Sequence, residues 1–92
     1  MKVHELKTWP EQFSQVLSGA KRYEIRKNDR HFVVGDHLVL REWVPSESPG
    51  RYTGRSYRAV VTWITPGGQF GLPEDLCVMS IMEAQTDTLV SD

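Results

Sequence analysis

Gly19-Ala20-Lys21-Arg22-Tyr23-Glu24-Ile25-Arg26 reads as a helix stop followed by a strand with two unlike faces. Gly19 supplies the left-handed backbone that ends a helix. Beyond it, alternation sets Tyr23 and Ile25 on one face and Arg22, Glu24 and Arg26 on the other. Lys21 stands at the strand's mouth, on the Tyr23/Ile25 parity. A compact group of charges beside a tight turn is a place to hold a polar ligand, anionic or heterocyclic.

Upstream, Val3 to Lys7 is predicted as a first strand. Thr8 is then expected to cap a short helix, with Glu11 three residues on as in a capping box and Pro10 tolerated in the first turn. Trp9, Phe13, Val16 and Leu17 make its apolar stripe. Downstream, Lys27-Asn28-Asp29-Arg30 reads as a polar turn. Phe32-Val33-Val34 is expected to return to the core, and Gly35-Asp36 to turn the chain again. His37 to Val44 alternates as a strand. Pro45 to Gly50 is a hairpin tip, and Tyr52 to Thr65 the return strand. There Tyr57, Ala59, Val61 and Trp63 share one face, and Arg58, Val60, Thr62 and Ile64 the other. Pro66-Gly67-Gly68 breaks it. Leu76 to Glu83 is a last strand, apolar enough to suggest burial on both faces. Five or six short strands with one helix near the N-terminus, and no βαβ rhythm, predict a mostly β (α+β) fold, a small barrel.

The chain has 92 residues, the length of one domain, expected over residues 1–83, with 84–92 a mobile tail lacking a core pattern. With 39% hydrophobic and 25% charged residues it has the balance of a soluble globular protein. No apolar run is long enough to span a membrane, and Met1-Lys2 leads into mixed sequence without a signal segment. Cys77 is the one cysteine, so no internal disulfide forms. A cytoplasmic location is expected. His4, His31 and His37 lack metal-site spacing with Cys77, so neither a metal nor a cofactor is expected. No phosphate loop or dinucleotide fingerprint is present.

The net charge of −1 hides an asymmetry. Every Lys and Arg lies within residues 1–58, and residues 59–92 carry only acids. A weakly acidic whole argues against a nonspecific DNA coat, and it still permits a local basic patch for a few phosphates.

His4-x-Leu6-Lys7, Pro10 and Phe13, then Gly19-x-Lys21-x-x-Glu24-x-Arg26-x-Asn28-Asp29-Arg30, then Gly35-Asp36-x-Leu38-x-Leu40-x-Glu42, closely resemble the small bacterial and phage family labelled DUF3850. That family looks like a branch of the ASCH domains, which share the PUA-like barrel. The resemblance runs from His4 to about Met82. It implies a PUA/ASCH-like barrel with a cleft beside Gly19–Arg26, and RNA or a modified nucleoside as ligand. A few ASCH relatives look like amidohydrolases acting on an acylated cytidine. In those a Lys matching Lys21 is thought catalytic, with a Thr where this chain has Glu24.

The expected reading is an RNA, nucleotide or modified-nucleoside binding module. Lys21, Glu24 and Arg26 line its cleft, Lys7, Lys27 and Arg30 extend a basic rim, and Trp9 and Phe70 are the stacking candidates. Glu24 would accept from a base amino group while Arg26 donates, and Gln69 in the Phe70 loop would read a base edge. Two alternatives remain open. One is a small amidohydrolase with Lys21 and Glu24 as catalytic groups. The other is a phage or bacterial accessory module that binds a protein. The bland reading of Lys21 is a solvated lysine after a helix end, that of Glu24 and Arg26 a cross-strand ion pair, and that of the basic rim a solvated charged face.

Overall fold

Alternation along the strands decides which side chains go inside, and most strands carry one face apolar enough to be buried. The computed structural model describes residues 1–84. Its elements are β1 (Val3–Thr8), α1 (Pro10–Ser18), β2 (Tyr23–Lys27), β3 (His37–Val44), β4 (Arg51–Pro66) and β5 (Leu76–Glu83). The five strands form one curled sheet, a half-barrel, in the order β1-β3-β4-β5-β2. β1 runs parallel to β3; the other neighbours are antiparallel. Leu6, Leu38, Leu40, Ala59, Val61, Cys77, Met79 and Ile81 form the core, and Val16 of α1 packs on it.

Several local expectations are corrected. Thr8 does not cap α1; it ends β1 with its side chain buried, and Trp9 takes the cap position without a side-chain hydrogen bond. The β1 alternation carries through to Thr8 and claims it before the helix can. In α1 only Phe13 and Val16 are buried, because a helix of one face on a curved sheet leaves Trp9 and Leu17 at the edges. Phe32 enters the core, but Val33 and Val34 stay exposed, since they form the turn into β3. β5 buries one face only, with Cys77, Met79 and Ile81 inside and Met82 outside. A register shift between Val61 and Trp63 inverts the β4 pattern. It sends Trp63 to solvent and brings Ile64 against the core. Ala84, assigned above to a tail, is buried and donates its N–H to Arg58 O at 3.0 Å. The rest of the expected tail, residues 85–92, lies outside the described residues.

The edge strands β1 and β2 meet across a seam without a backbone ladder between them. Lys2 O accepts from His37 N, so the two-residue period turns the Glu5 and Lys7 carbonyls away from β3. Arginines take up these free acceptors. Arg26 Nη2 donates to Lys7 O at 3.0 Å, and Arg30 Nη1 donates to Glu5 O at 2.8 Å. Guanidinium groups thus supply hydrogen bonds that a sixth strand would otherwise provide.

At the opposite end of β1, the buried Asp36 carboxylate accepts from Lys2 N at 3.0 Å and Val33 N at 3.0 Å, and bonds His4 Nε2 at 2.9 Å. Burial pushes this carboxyl's pKa up, but the bonds from His4, Lys2 and Val33 outweigh it and hold the group below its ordinary value of 3.8. The stability it confers is complete above the unfolded value and is lost as pH falls through the folded one. Asp36→Asn is therefore expected to be less stable than wild type at pH 7, by about 3 kcal/mol in urea unfolding. The gap between the two narrows as the pH is taken below about 4. A gap that stays constant down to pH 2 would remove the carboxylate from this role.

Candidate functional site

Strand β2 is inverted relative to ordinary patterning. Its apolar residues Tyr23 and Ile25 are exposed, while Glu24 is only 2% exposed. Burial of a carboxylate is costly unless it is paired and hydrogen-bonded. Lys21 Nζ lies 2.8 Å from Glu24 Oε2, and Arg26 Nε lies 3.0 Å from Glu24 Oε1. Both cations are themselves largely covered. Arg26 also donates to Thr8 Oγ1 at 3.3 Å, joining the triad to β1.

The local sequence explains how the three side chains converge. Gly19, at φ 85°, ends α1 by donating its N–H to Val16 O. Lys21 N then bonds Gln15 O at 3.0 Å, which holds the turn against the helix. The strand begins at Tyr23, so the alternation expected for Lys21 and Arg22 does not apply to them. Lys21 folds across the turn onto Glu24, and Arg22 donates back to Gly19 O.

This triad borders an open cleft of about 420 Å³ between β2 and the junction of β1 with α1. Lys7, Trp9, Lys21, Glu24 and Arg26 all line it, as expected from the sequence. Thr8, Gln12, Tyr23 and Ile25 line it too. Gln12 was missed, although it follows Trp9 at the helical spacing that places both on one side. Thr8 was misassigned to a cap. Trp9 is 60% exposed and Tyr23 44%, so both rings are open to a ligand. Lys7 Nζ sits 4.4 Å from the centre of the Trp43 ring, a cation–π contact that steadies its side chain at the rim. Trp43 in turn presses its ring against Gly50, where an added Cβ would lie 2.3 Å from Trp43 Cζ2.

Lys27 and Arg30 lie beyond Arg26, in a smaller neighbouring cleft. Gln69 and Phe70 line neither. The antiparallel register of β5 on β2 pairs Lys27 with Leu76, so the loop before β5 sits at the Lys27 end of β2. The central cleft lies on the side of β2 away from β5, toward β1 and α1. Phe70 is instead a solvent-facing knob, 92% exposed.

Among the described residues no group of His, Cys, Asp and Glu side chains is placed to hold a metal ion. No helix among them is long and apolar enough to cross a membrane.

A family profile described as "Domain of unknown function (DUF3850)" matches residues 3–81. The chain belongs to this family. Every residue of the Lys21–Glu24–Arg26 triad and of the central cleft falls within the DUF3850 match. The chain is similar to an "Uncharacterized 12.9 kDa protein in GpA 3'region" of Escherichia phage P2, 45% identical over 64 residues. The aligned part is 70% of this chain and 55% of that relative, so the match spans about half of the phage protein.

Removal of one member of a buried ion cluster costs more than the cluster's net worth, because it strands the remaining charge. Glu24→Ala leaves two covered cations facing each other, and its unfolding free energy in urea is expected to fall by about 3–5 kcal/mol. The apolar triple variant Lys21→Met/Glu24→Leu/Arg26→Met is expected to recover most of that loss. Failure of the triple variant to recover would show that Arg26's bonds to β1 matter more than charge pairing.

Proposed function

We propose that this DUF3850 chain binds a nucleobase-containing ligand, an RNA, nucleotide or modified nucleoside, in the cleft around Glu24. The observation that carries the reading is a buried carboxylate, held by two cations, beside an open cleft walled by the exposed rings of Trp9 and Tyr23. Ligand sites combine apolar walls with a few fixed polar groups, and about 420 Å³ is within their usual range. Stacking on an aromatic ring suits any base because every base has a π-face.

The polar groups have capacity to spare. Glu24 accepts one bond at each oxygen among the described residues, which leaves further lone pairs for an exocyclic amino group. Lys21 uses one of its three donors on Glu24. Gln12 adds an amide at the cleft wall. A donor–acceptor row of this kind recognises the edge of a heterocycle, and Lys7 at the rim suits a phosphate. The sequence resemblance of the Gly19–Arg30 motif to ASCH and PUA-like domains fits the same reading, which places the protein in the cytoplasm, where such ligands are abundant.

The 2.8 Å contact between Lys21 and Glu24 favours a second reading, hydrolysis of an acylated cytidine. Glu24 would take a proton from the attacking water, and Lys21 or Arg26 would hold the oxyanion. Glu24 would pass that proton to the leaving nitrogen as the amide C–N bond breaks, releasing the free amine and the carboxylic acid.

Isothermal titration with the common nucleosides, their monophosphates and N4-acetylcytidine tests the binding reading, and mass spectrometry of the recovered N4-acetylcytidine tests the hydrolytic one. Saturable binding without turnover is expected. Trp9→Ala is expected to weaken it roughly 5- to 100-fold, the range of one lost stacking contact. Absence of binding by this whole set and by short RNA strands alike would sink the proposal, and release of cytidine would replace it with the hydrolase.

A further inference from the structure

The central cleft is not isolated. It shares Lys21 with a second cleft of about 280 Å³, lined also by Val16, Arg22, Tyr57, Met82 and Glu83. It shares Arg26 with a third of about 160 Å³, lined also by Leu6, Lys27, Asp29, Arg30 and Phe32. Lys21 and Arg26 hold opposite oxygens of Glu24. The shared walls therefore set an order: second cleft, Lys21, central cleft, Arg26, third cleft.

The row repeats one chemical unit. Each cleft has an aromatic side chain in its wall: the exposed rings of Trp9 and Tyr23 in the centre, the half-buried Tyr57 in the second, and in the third the edge of Phe32, whose ring packs in the core. Each partition between clefts is a cation. In the flanking clefts bases outnumber acids, with Lys21 and Arg22 against Glu83, and Arg26, Lys27 and Arg30 against Asp29. A free nucleoside would occupy the centre and leave the rest of this pattern unused. A single strand alternates a flat ring with one negative charge per residue, in the same rhythm as the row.

We infer that the ligand is a single-stranded oligonucleotide of about three residues, one residue per cleft, with the middle base stacked on the exposed rings of the central cleft. Its two linking phosphates lie over Lys21 and Arg26. This assignment rests on the nucleobase reading of the central cleft and adds to it the length and course of the ligand. The ion triad then has a second role, since the cations that neutralise Glu24 also stand where the backbone charge must pass.

A length series tests it. Fluorescence anisotropy competition would use the free nucleosides and oligo(U), oligo(A) and oligo(C) of one to six residues, each at two salt concentrations. Affinity is expected to climb by about tenfold per residue up to three and then level off. The salt slope is expected to steepen by about 0.7 for each linking phosphate gained. Arg22→Gln and Arg30→Gln, at opposite ends of the row, are each expected to weaken the three-residue strand several-fold, with native circular dichroism confirming the fold. Nucleosides that bind as tightly as the trimers would overturn the row and leave the central-cleft reading standing. An affinity that keeps rising without a break to six residues would also overturn it. Absence of binding by nucleosides and strands alike would take down the central-cleft reading itself.

Discussion

A carboxylate buried on an edge strand is the constraint from which the rest of this molecule follows. Glu24 occupies the inward position of β2, where packing alone would place a Leu or Val. Its charge demands cations within bonding distance, and those cations have to come from somewhere. Lys21 comes from the turn after α1, which fixes how the helix enters the strand. Arg26 comes from the same strand two residues on, and its second nitrogen reaches the free carbonyl of Lys7 on β1. Neutralisation of one charge therefore also closes the half-barrel.

The parallel strand β1 shows the consequence most clearly. Only one of its edges is paired with β3, and it is held at both ends by carboxylate-centred networks. Asp36 gathers Lys2, His4 and Val33 at its start. At its finish, Arg26 connects Lys7 and Thr8 to Glu24. Between them Arg30 binds the Glu5 carbonyl. Polar groups here do the work of a ladder, and side chains adapt to a gap where strand backbones must meet at a fixed spacing. A seam closed in this way leaves room for clefts, and the central and third clefts lie on either side of Arg26. The outer face of β2 pays the complementary cost, since Tyr23 and Ile25 are displaced to solvent.

Much of the fold was legible in the residues. Strand alternation located β1, β3, β4 and β5, the Gly19 stop ended α1, and the mostly β class followed from the number of short strands. The three charges were legible as neighbours as well, because Lys21, Glu24 and Arg26 lie close together in the turn after α1 and the strand it leads into. What alternation could not show was the effect of a register shift. Val61 and Trp63 share a parity in the sequence, yet the shift between them puts one in the core and the other in water. Thr8 was misread for a related reason. A Thr three residues before a Glu, with a Pro between, is a good cap by local rules, and only the pairing of β1 with β3 through Thr8 and Glu42 makes it a strand residue.

The sequence by itself determined the composition of the site: a helix stop, a short strand, and Lys21, Glu24 and Arg26 close together within it. These are local relations, and short-range backbone geometry is enough to enforce them. Tertiary structure alone decided which way that strand faces, because a period of two defines two faces without saying which is inside. It also decided the partners from a distance. Trp9 and Gln12 reach the cleft because α1 lies across the sheet, and Arg26 reaches Lys7 because curling brings the two edge strands together. Gln69 and Phe70, plausible by residue type, were set apart by the register of β5 on β2. The chain's own order carries no trace of these juxtapositions, because they depend on how the sheet curls and not on spacing.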